Sequence, residues 1–187
     1  MPSVEQALRS CTKCPELVHN RTNVVIGEGP IPCNMVCLGE APGAREDALG
    51  IPFVGPSGRL LRQELSRIGV TTHILNMVKC RPPENRDPTP EEIENCSHFL
   101  KLQLRAVKPK VILALGRYSI AYVTGQVAST IRVTKYAGAV VDTAGIKAVC
   151  TFHPAFILRN RGTDIEELFR KHIKKAANLA MGQKETT

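Results

Sequence analysis

The chain has 187 residues, of which 43% are hydrophobic, and a formal net charge of +8 at pH 7. This size predicts one domain over residues 1–187, and the hydrophobic content excludes a disordered chain. No apolar run approaches the ~20 residues of a membrane span and the N-terminus lacks an apolar signal region. We therefore expect a cytoplasmic protein without membrane contacts, and a monomer. The positive charge favours an anionic partner, nucleic acid above all.

Helical patterns are recognised by their ends. Ser3–Gln6 has the form of a capping box that opens a short first helix, and Thr89 is the N-cap of a long one ending near Lys108. Two more helices are expected at residues 59–68, stopped by a glycine, and 117–124. A last helix is expected to be capped by Thr163 and Glu166 and to bury Leu168, Ile173 and Ala177. The tail from residue 182 to 187 is expected to fray.

Short apolar runs predict buried strands between these helices. They lie at residues 35–38, 74–78, 111–115 and 148–152. Strands that alternate with helices indicate an α/β fold, here a four-stranded parallel sheet with helices on both faces, in three α/β/α layers. Residues 131–147 are expected to form a β-excursion.

One edge of this sheet is expected to carry the chemistry. Right-handed crossovers bring the carboxyl end of every strand to the same edge, where open α/β sheets bind their ligands. This edge collects Glu40, Asn76, Gly116 and His153. Glu40 also belongs to a sharp Gly/Pro turn, and the segment after it brings Phe53 into an apolar loop. The sequence therefore predicts a ligand site here.

Seven cysteines in a cytoplasmic chain argue for a metal or cluster rather than disulfides. Cys11 and Cys14 form a C-x2-C pair, whereas Cys80 and Cys96 follow far downstream without a second tight pair. This spacing is unlike a zinc ribbon, and it favours a [4Fe–4S] cluster over a structural zinc ion. Zinc stays open as the alternative.

The assembled motifs resemble those of the family 4 uracil-DNA glycosylases, the iron–sulfur branch of that superfamily. The resemblance covers about residues 11–160. It is carried by CTKC at 11–14, GEAPGAREDALGIPFVGPSG at 39–58, NMVKCRPPENRDPTPEE at 76–92, Cys96, and FHPAFILRN at 152–160. It implies a glycosylase-like α/β/α fold, a [4Fe–4S] cluster on the four cysteines, and release of uracil from single- or double-stranded DNA.

The resemblance also implies roles for single residues. Asn76 would read the Watson–Crick edge of uracil, Phe53 would stack on the flipped ring, and Gly39 and Ala41 would belong to the same pocket. His153 would donate to uracil O2, and Glu40 would orient water or offset the cationic sugar, with help from Asn85. Glu46 would line the pocket beside the uracil 5-position.

DNA contacts are expected around this pocket. Leu158 would fill the gap left by the flipped nucleotide, as apolar wedges do in other proteins. Phosphate contacts are assigned to basic residues near the site: Lys79, Arg81, Arg86, Arg159 and Arg161.

Without the resemblance, the residues are also compatible with two other classes of protein. One is a non-catalytic iron–sulfur nucleic-acid-binding protein that senses damage or redox state. The other is a structural-zinc hydrolase acting on nucleotides. Base release and metal content distinguish these classes from the glycosylase.

Overall fold

A mostly parallel sheet lies at the centre of the computed structural model, which describes residues 4–183. Its strands are β1 (Met35–Gly39), β2 (Thr72–Asn76), β3 (Val111–Leu115), β4 (Val140–Thr143) and β5 (Ile146–Thr151). In the described residues their order is β2-β1-β3-β5-β4, and only β4 runs antiparallel to its neighbour. The predicted fold is confirmed, but the predicted strand count was wrong: the excursion at residues 131–147 contributes β4 as a fifth, edge strand.

Helices cover both faces of the sheet. They are α1 (Val4–Arg9), α2 (Pro15–Asn20), α3 (Ala44–Leu49), α4 (Pro56–Ile68), α5 (Pro90–Val107), α6 (Arg117–Thr124), α7 (Val133–Tyr136), α8 (Pro154–Arg159) and α9 (Asp164–Ala180). Alternate side chains of β1 point to opposite faces, as a strand requires. Met35 and Cys37 join the core under α4 and α9, whereas Val36 and Leu38 join the core under α5 and α6.

Several predicted helix ends are confirmed. Thr89 and Glu92 form a reciprocal capping box at the start of α5. Gly69 ends α4 in the left-handed conformation, with φ at 65°. The capping box proposed at Ser3 involves a residue outside the described part of the chain, as do residues 184–187 of the tail.

The prediction for α9 was partly wrong. The Thr163 hydroxyl donates to the Asn160 carbonyl instead of capping the helix, and Glu166 accepts from the backbone N–H of Gly162. Leu168 is 41% exposed, whereas Phe169 is fully buried. The buried stripe continues from Phe169 to Ile173, at helical spacing, so Leu168 lies one residue away from it.

Strand β2 ends at Asn76, two residues earlier than predicted. Asn76 therefore occupies the last position of a strand, at the carboxyl edge of the sheet. None of the helices in residues 4–183 is both long and apolar enough to cross a membrane.

Candidate active site

The carboxyl ends of the parallel strands surround a cavity of about 150 Å³. A protein cavity of about this volume can hold one benzene ring. Its lining combines two loops with side chains from the strand ends: Glu40, Ala41, Pro42, Gly43, Glu46, Phe53, Ser57, Asn76, Pro82, Asn85, Arg86 and His153. The acid, the amide and the imidazole expected at this edge therefore meet around one cavity.

Asn76 presents an amide oxygen that has no hydrogen-bond partner among the described residues. The residue is only 2% exposed, and a buried polar atom normally has a hydrogen-bond partner. Gly39 lies opposite on β1, and a Cβ atom there would approach Asn76 Oδ1 to 2.4 Å. The unpaired acceptor indicates that the cavity is shaped for a ligand that donates a hydrogen bond.

Phe53 forms an apolar wall of the cavity, and its backbone is strained to do so. Its φ is 54°, in the left-handed region that non-glycine residues seldom adopt. A Cβ atom on Gly58 would lie 2.1 Å from the Phe53 carbonyl carbon, so only glycine fits behind the loop. The Phe53 and His153 rings have centroids 6.1 Å apart and are tilted by 35°. This fixed ring offers a planar ligand a surface on which to stack.

His153 is held as a neutral hydrogen-bond donor. It is the N-cap of α8, and its Nδ1 accepts from the backbone N–H of Ala155 at 3.2 Å. Burial, with a smaller effect of the nearby Arg159 cation, lowers the pKa of His153 to about 4. At neutral pH the proton of the ring therefore resides on Nε2. A Cβ atom on Gly116 would lie 2.9 Å from the His153 Cβ, so this glycine leaves room for the histidine.

Glu40 follows β1 and is half-buried beside the cavity. Burial and the negative charge of Asp87 raise its pKa to about 7, while Arg117 acts in the opposite direction. A carboxyl group with such a pKa can act as an acid or a base near neutral pH.

Two neighbouring side chains stabilise the loops around the cavity. Glu46 Oε1 accepts hydrogen bonds from the backbone N–H groups of Val54 (2.9 Å) and Gly55 (2.7 Å), next to Phe53. Asn85 Oδ1 accepts from Arg81 Nε at 2.8 Å. Both side chains line the cavity, but one carboxylate oxygen of Glu46 and the single amide oxygen of Asn85 already have protein partners.

The basic residues near the site differ in their availability. Lys79 is fully buried and its ammonium donates to the Asn76 carbonyl, so the phosphate contact predicted for it was wrong. Arg86 pairs with Glu92 at 2.6 Å and with Glu16 at 3.0 Å.

The other candidate DNA contacts lie nearer to solvent. Arg159 and Arg161 are exposed, and Arg81 is half-buried. Leu158 is half-buried and packs against the core beside α4 and α9.

Four cysteines converge beside this site. Cys80 and Cys96 are buried in one cluster, against which the half-buried Cys14 packs, and Cys11 precedes the α2 N-cap. Burial raises the pKa of the Cys14, Cys80 and Cys96 thiols, and other members of the set raise it further. Arg21 donates to the Cys80 sulfur at 3.1 Å. Yet within residues 4–183 no three ligand-type side chains are close enough to hold a single metal ion.

Sequence reasoning missed the residues that support this site. Arg117 follows Gly116 at the end of β3, and this position after a strand end could have marked it as a residue of the site. Gly58 had no such signal, because its close approach to Phe53 depends on the folded loop.

Comparison with known proteins supplies independent information. The sequence model of the Uracil DNA glycosylase superfamily matches residues 26–178. A Type-4 uracil-DNA glycosylase of Thermotoga maritima is 44% identical over 184 residues, which cover 96% of this chain and 94% of the relative. Similar proteins with the same description occur in Pyrobaculum aerophilum, at 40% identity over 85% of both chains, and in Archaeoglobus fulgidus, at 37% over 100% of this chain and 96% of the relative.

Proposed function

This chain belongs to the type-4 family of the uracil DNA glycosylase superfamily, and on that premise we propose that it removes uracil from DNA. It flips the nucleotide, hydrolyses the N-glycosidic bond and leaves an abasic site. The observation that carries this proposal is the unpaired Asn76 amide oxygen, aimed into a cavity sized for one ring between Phe53 and His153.

The cavity accounts for recognition of a flipped uracil. A duplex hides the bond to be cleaved, so the nucleotide must leave the stack and enter a pocket. Phe53 stacks on the ring while Asn76 Oδ1 accepts from uracil N3–H and Asn76 Nδ2 donates to uracil O4. Cytosine offers an acceptor at N3 and a donor at its exocyclic amine, so it presents the reverse pattern. Ala41 and Gly39 leave the space that the ring needs.

The side chains on the sugar side account for bond cleavage. The sugar becomes oxocarbenium-like as the bond breaks, and the base leaves as an anion. His153 Nε2–H donates to uracil O2 as negative charge accumulates there. Glu40, in its ionised form, orients the attacking water and offsets the positive sugar, and Asn85 shares in placing that water. Glu46 lies beside the uracil 5-position and supports the loop of Phe53.

Four arginines near the cavity would bind the DNA backbone. Arg159 ends α8 and Arg161 follows it, whereas Arg86 lines the cavity and Arg81 is hydrogen-bonded to Asn85 in its lining. These guanidinium groups would contact phosphates beside the flipped nucleotide. Leu158 fills the space that the nucleotide leaves in the stack.

Cys11, Cys14, Cys80 and Cys96 would hold a [4Fe–4S] cluster. Four thiol donors, two of them buried and all four interacting electrostatically with one another, fit the ligand set of such a group. When bound, the cluster supplies a crosslink between the N-terminal segment and both ends of the loop that carries Asn85 and Arg86.

A direct experiment is incubation of the purified protein with a uracil-containing oligonucleotide, followed by mass spectrometry of the released bases. We expect free uracil and an abasic strand, from a monomer by size-exclusion chromatography, in keeping with a cytoplasmic repair enzyme. The matched oligonucleotide with thymine or cytosine should release nothing. DNA binding without any uracil release would instead support the non-catalytic iron–sulfur protein.

Replacement of Asn76 tests recognition. Asn76→Ala removes two hydrogen bonds to the base, and we expect single-turnover uracil release to slow by about a hundredfold or more. Inhibition of the reaction by free uracil should weaken as well, because the same contacts bind the free base. Asn178→Ala, at a half-buried position in α9, is the control that should change neither quantity. Inhibition by uracil as strong as in the unmodified protein would contradict this role.

A further inference from the structure

A second cavity, of about 310 Å³, adjoins the first. Glu40 and His153 line both cavities, so they form the wall between them. The remaining lining of the second cavity comes from the start of α6, from α7 and from the segment around β5: Gly116, Arg117, Val133, Thr134, Phe152 and Phe156. Water or the sugar of a flipped nucleotide can approach Glu40 from this side.

Arg117 is held at the mouth of the second cavity by two contacts. Its guanidinium donates to a carboxylate oxygen of Asp87, and it lies over the Tyr118 ring with 4.9 Å between its Cζ and the ring centroid. Burial and the nearby Asp87 carboxylate raise the pKa of the Tyr118 hydroxyl to about 12. The loop before α5 is thereby tied to the start of α6, directly beside Glu40.

The Arg117–Asp87 ion pair is too exposed to contribute much to the stability of the fold. Its two side chains are 43% and 60% exposed, and pairs of this kind contribute little to the free energy of unfolding. Its proximity to Glu40 suggests a different role. Asp87 raises the pKa of Glu40 and Arg117 lowers it, so the two members of the ion pair have opposite effects on the pKa of the same carboxyl group.

We propose that Arg117 is a positioning residue of the uracil-release reaction: paired with Asp87 at the second cavity, it sets the charge beside the Glu40 carboxyl group on the side from which water attacks. This inference rests on the proposed function. Arg117 does not touch the base and acts through Glu40.

The expected pH dependence follows from the charges around Glu40. The titratable and charged side chains that face it are Glu46 from α3, Arg86 and Asp87 from the loop before α5, Arg117 and Tyr118 from α6, and His153 after β5. His153 stays neutral above a pH of about 4. Because the ionised form of Glu40 is the active one, the rate rises with pH through its pKa of about 7.

The rise of the rate with pH is the acid limb of the pH–rate profile. Removal of the Arg117 cation should move this limb to higher pH. In Arg117→Gln the favourable charge is lost and Asp87 is left unpaired, so we expect the limb to move up by about one pH unit. Single-turnover release at pH 6 should then fall about tenfold, and release above pH 9 should stay near that of the unmodified protein.

Three further variants make the test specific. Asp87→Asn removes a negative charge and should move the limb the opposite way, to lower pH. Arg117→Lys keeps the charge and should retain the limb of the unmodified protein. Arg105→Gln, an exposed position of α5, should have no effect on the limb.

The outcomes separate this inference from the proposed function. An equal loss of rate at every pH in Arg117→Gln, or limbs that move in the same direction in Arg117→Gln and Asp87→Asn, would overturn the positioning role. Absence of uracil release from the unmodified protein at any pH would overturn the proposed function itself.

Discussion

His153→Ala is expected to slow uracil release by about 100- to 1,000-fold, the loss seen when one well-aimed donor to a developing anion is removed. The hydrogen bond from Ala155 to Nδ1 and the lowered pKa leave the Nε2 proton as the available donor. Because that bond strengthens only as charge develops on the base, the lost interaction belongs to the transition state. Single-turnover rates on a uracil oligonucleotide measure this effect.

DNA binding supplies the control for this prediction. Affinity for the same oligonucleotide, by fluorescence anisotropy, should change little in His153→Ala, and His19→Ala, an exposed histidine of α2, should release uracil at the normal rate. A fall in affinity that matches the fall in rate would mean that His153 binds DNA rather than stabilising the leaving base.

Cys96→Ala is expected to abolish the broad visible absorbance of the iron–sulfur cluster and to lower the free energy of unfolding by about 4 kcal/mol or more. Cys96 lies in α5, whereas the other three proposed ligands lie outside it, so the proposed cluster would join segments that are far apart in sequence. Iron and sulfide analysis, visible absorbance and denaturant unfolding under anaerobic conditions give the three readouts.

Cys150→Ala is the matched control, since Cys150 is a fully buried cysteine of β5 that packs in the core. It should keep the iron and the absorbance and lose about 1 kcal/mol through its small cavity. Stoichiometric zinc without iron in the unmodified protein would contradict the cluster and support the structural-zinc alternative.

Local signals explain why much of the fold could be predicted from the sequence. Thr89 and Glu92 form their capping box because both partners lie within one helical turn. The gathering of Glu40, Asn76 and His153 follows from topology, since parallel strands share a carboxyl edge. These predictions needed only short-range patterns and a general rule about sheets.

Contacts between distant segments explain what could not be predicted. Lys79 belongs to a stretch rich in basic residues, and nothing in that pattern indicates that its ammonium turns inward to the Asn76 carbonyl. The pairing of Arg117 with Asp87 joins the start of α6 to a loop thirty positions earlier in the chain. The β-excursion at residues 131–147 was predicted, but not that its strand β4 joins the central sheet, because the side chains of β4 are at most partly buried.

The unpaired oxygen of Asn76 implies that the free energy of unfolding of the empty protein is lower than the same fold could reach. A buried acceptor without a protein partner costs free energy in the empty protein, and a base that donates to it would remove that cost. Selection for heat resistance alone would favour an apolar side chain at this position and thereby erase the discrimination between bases. A cost in stability at this position is therefore the counterpart of a cavity that distinguishes one base from another.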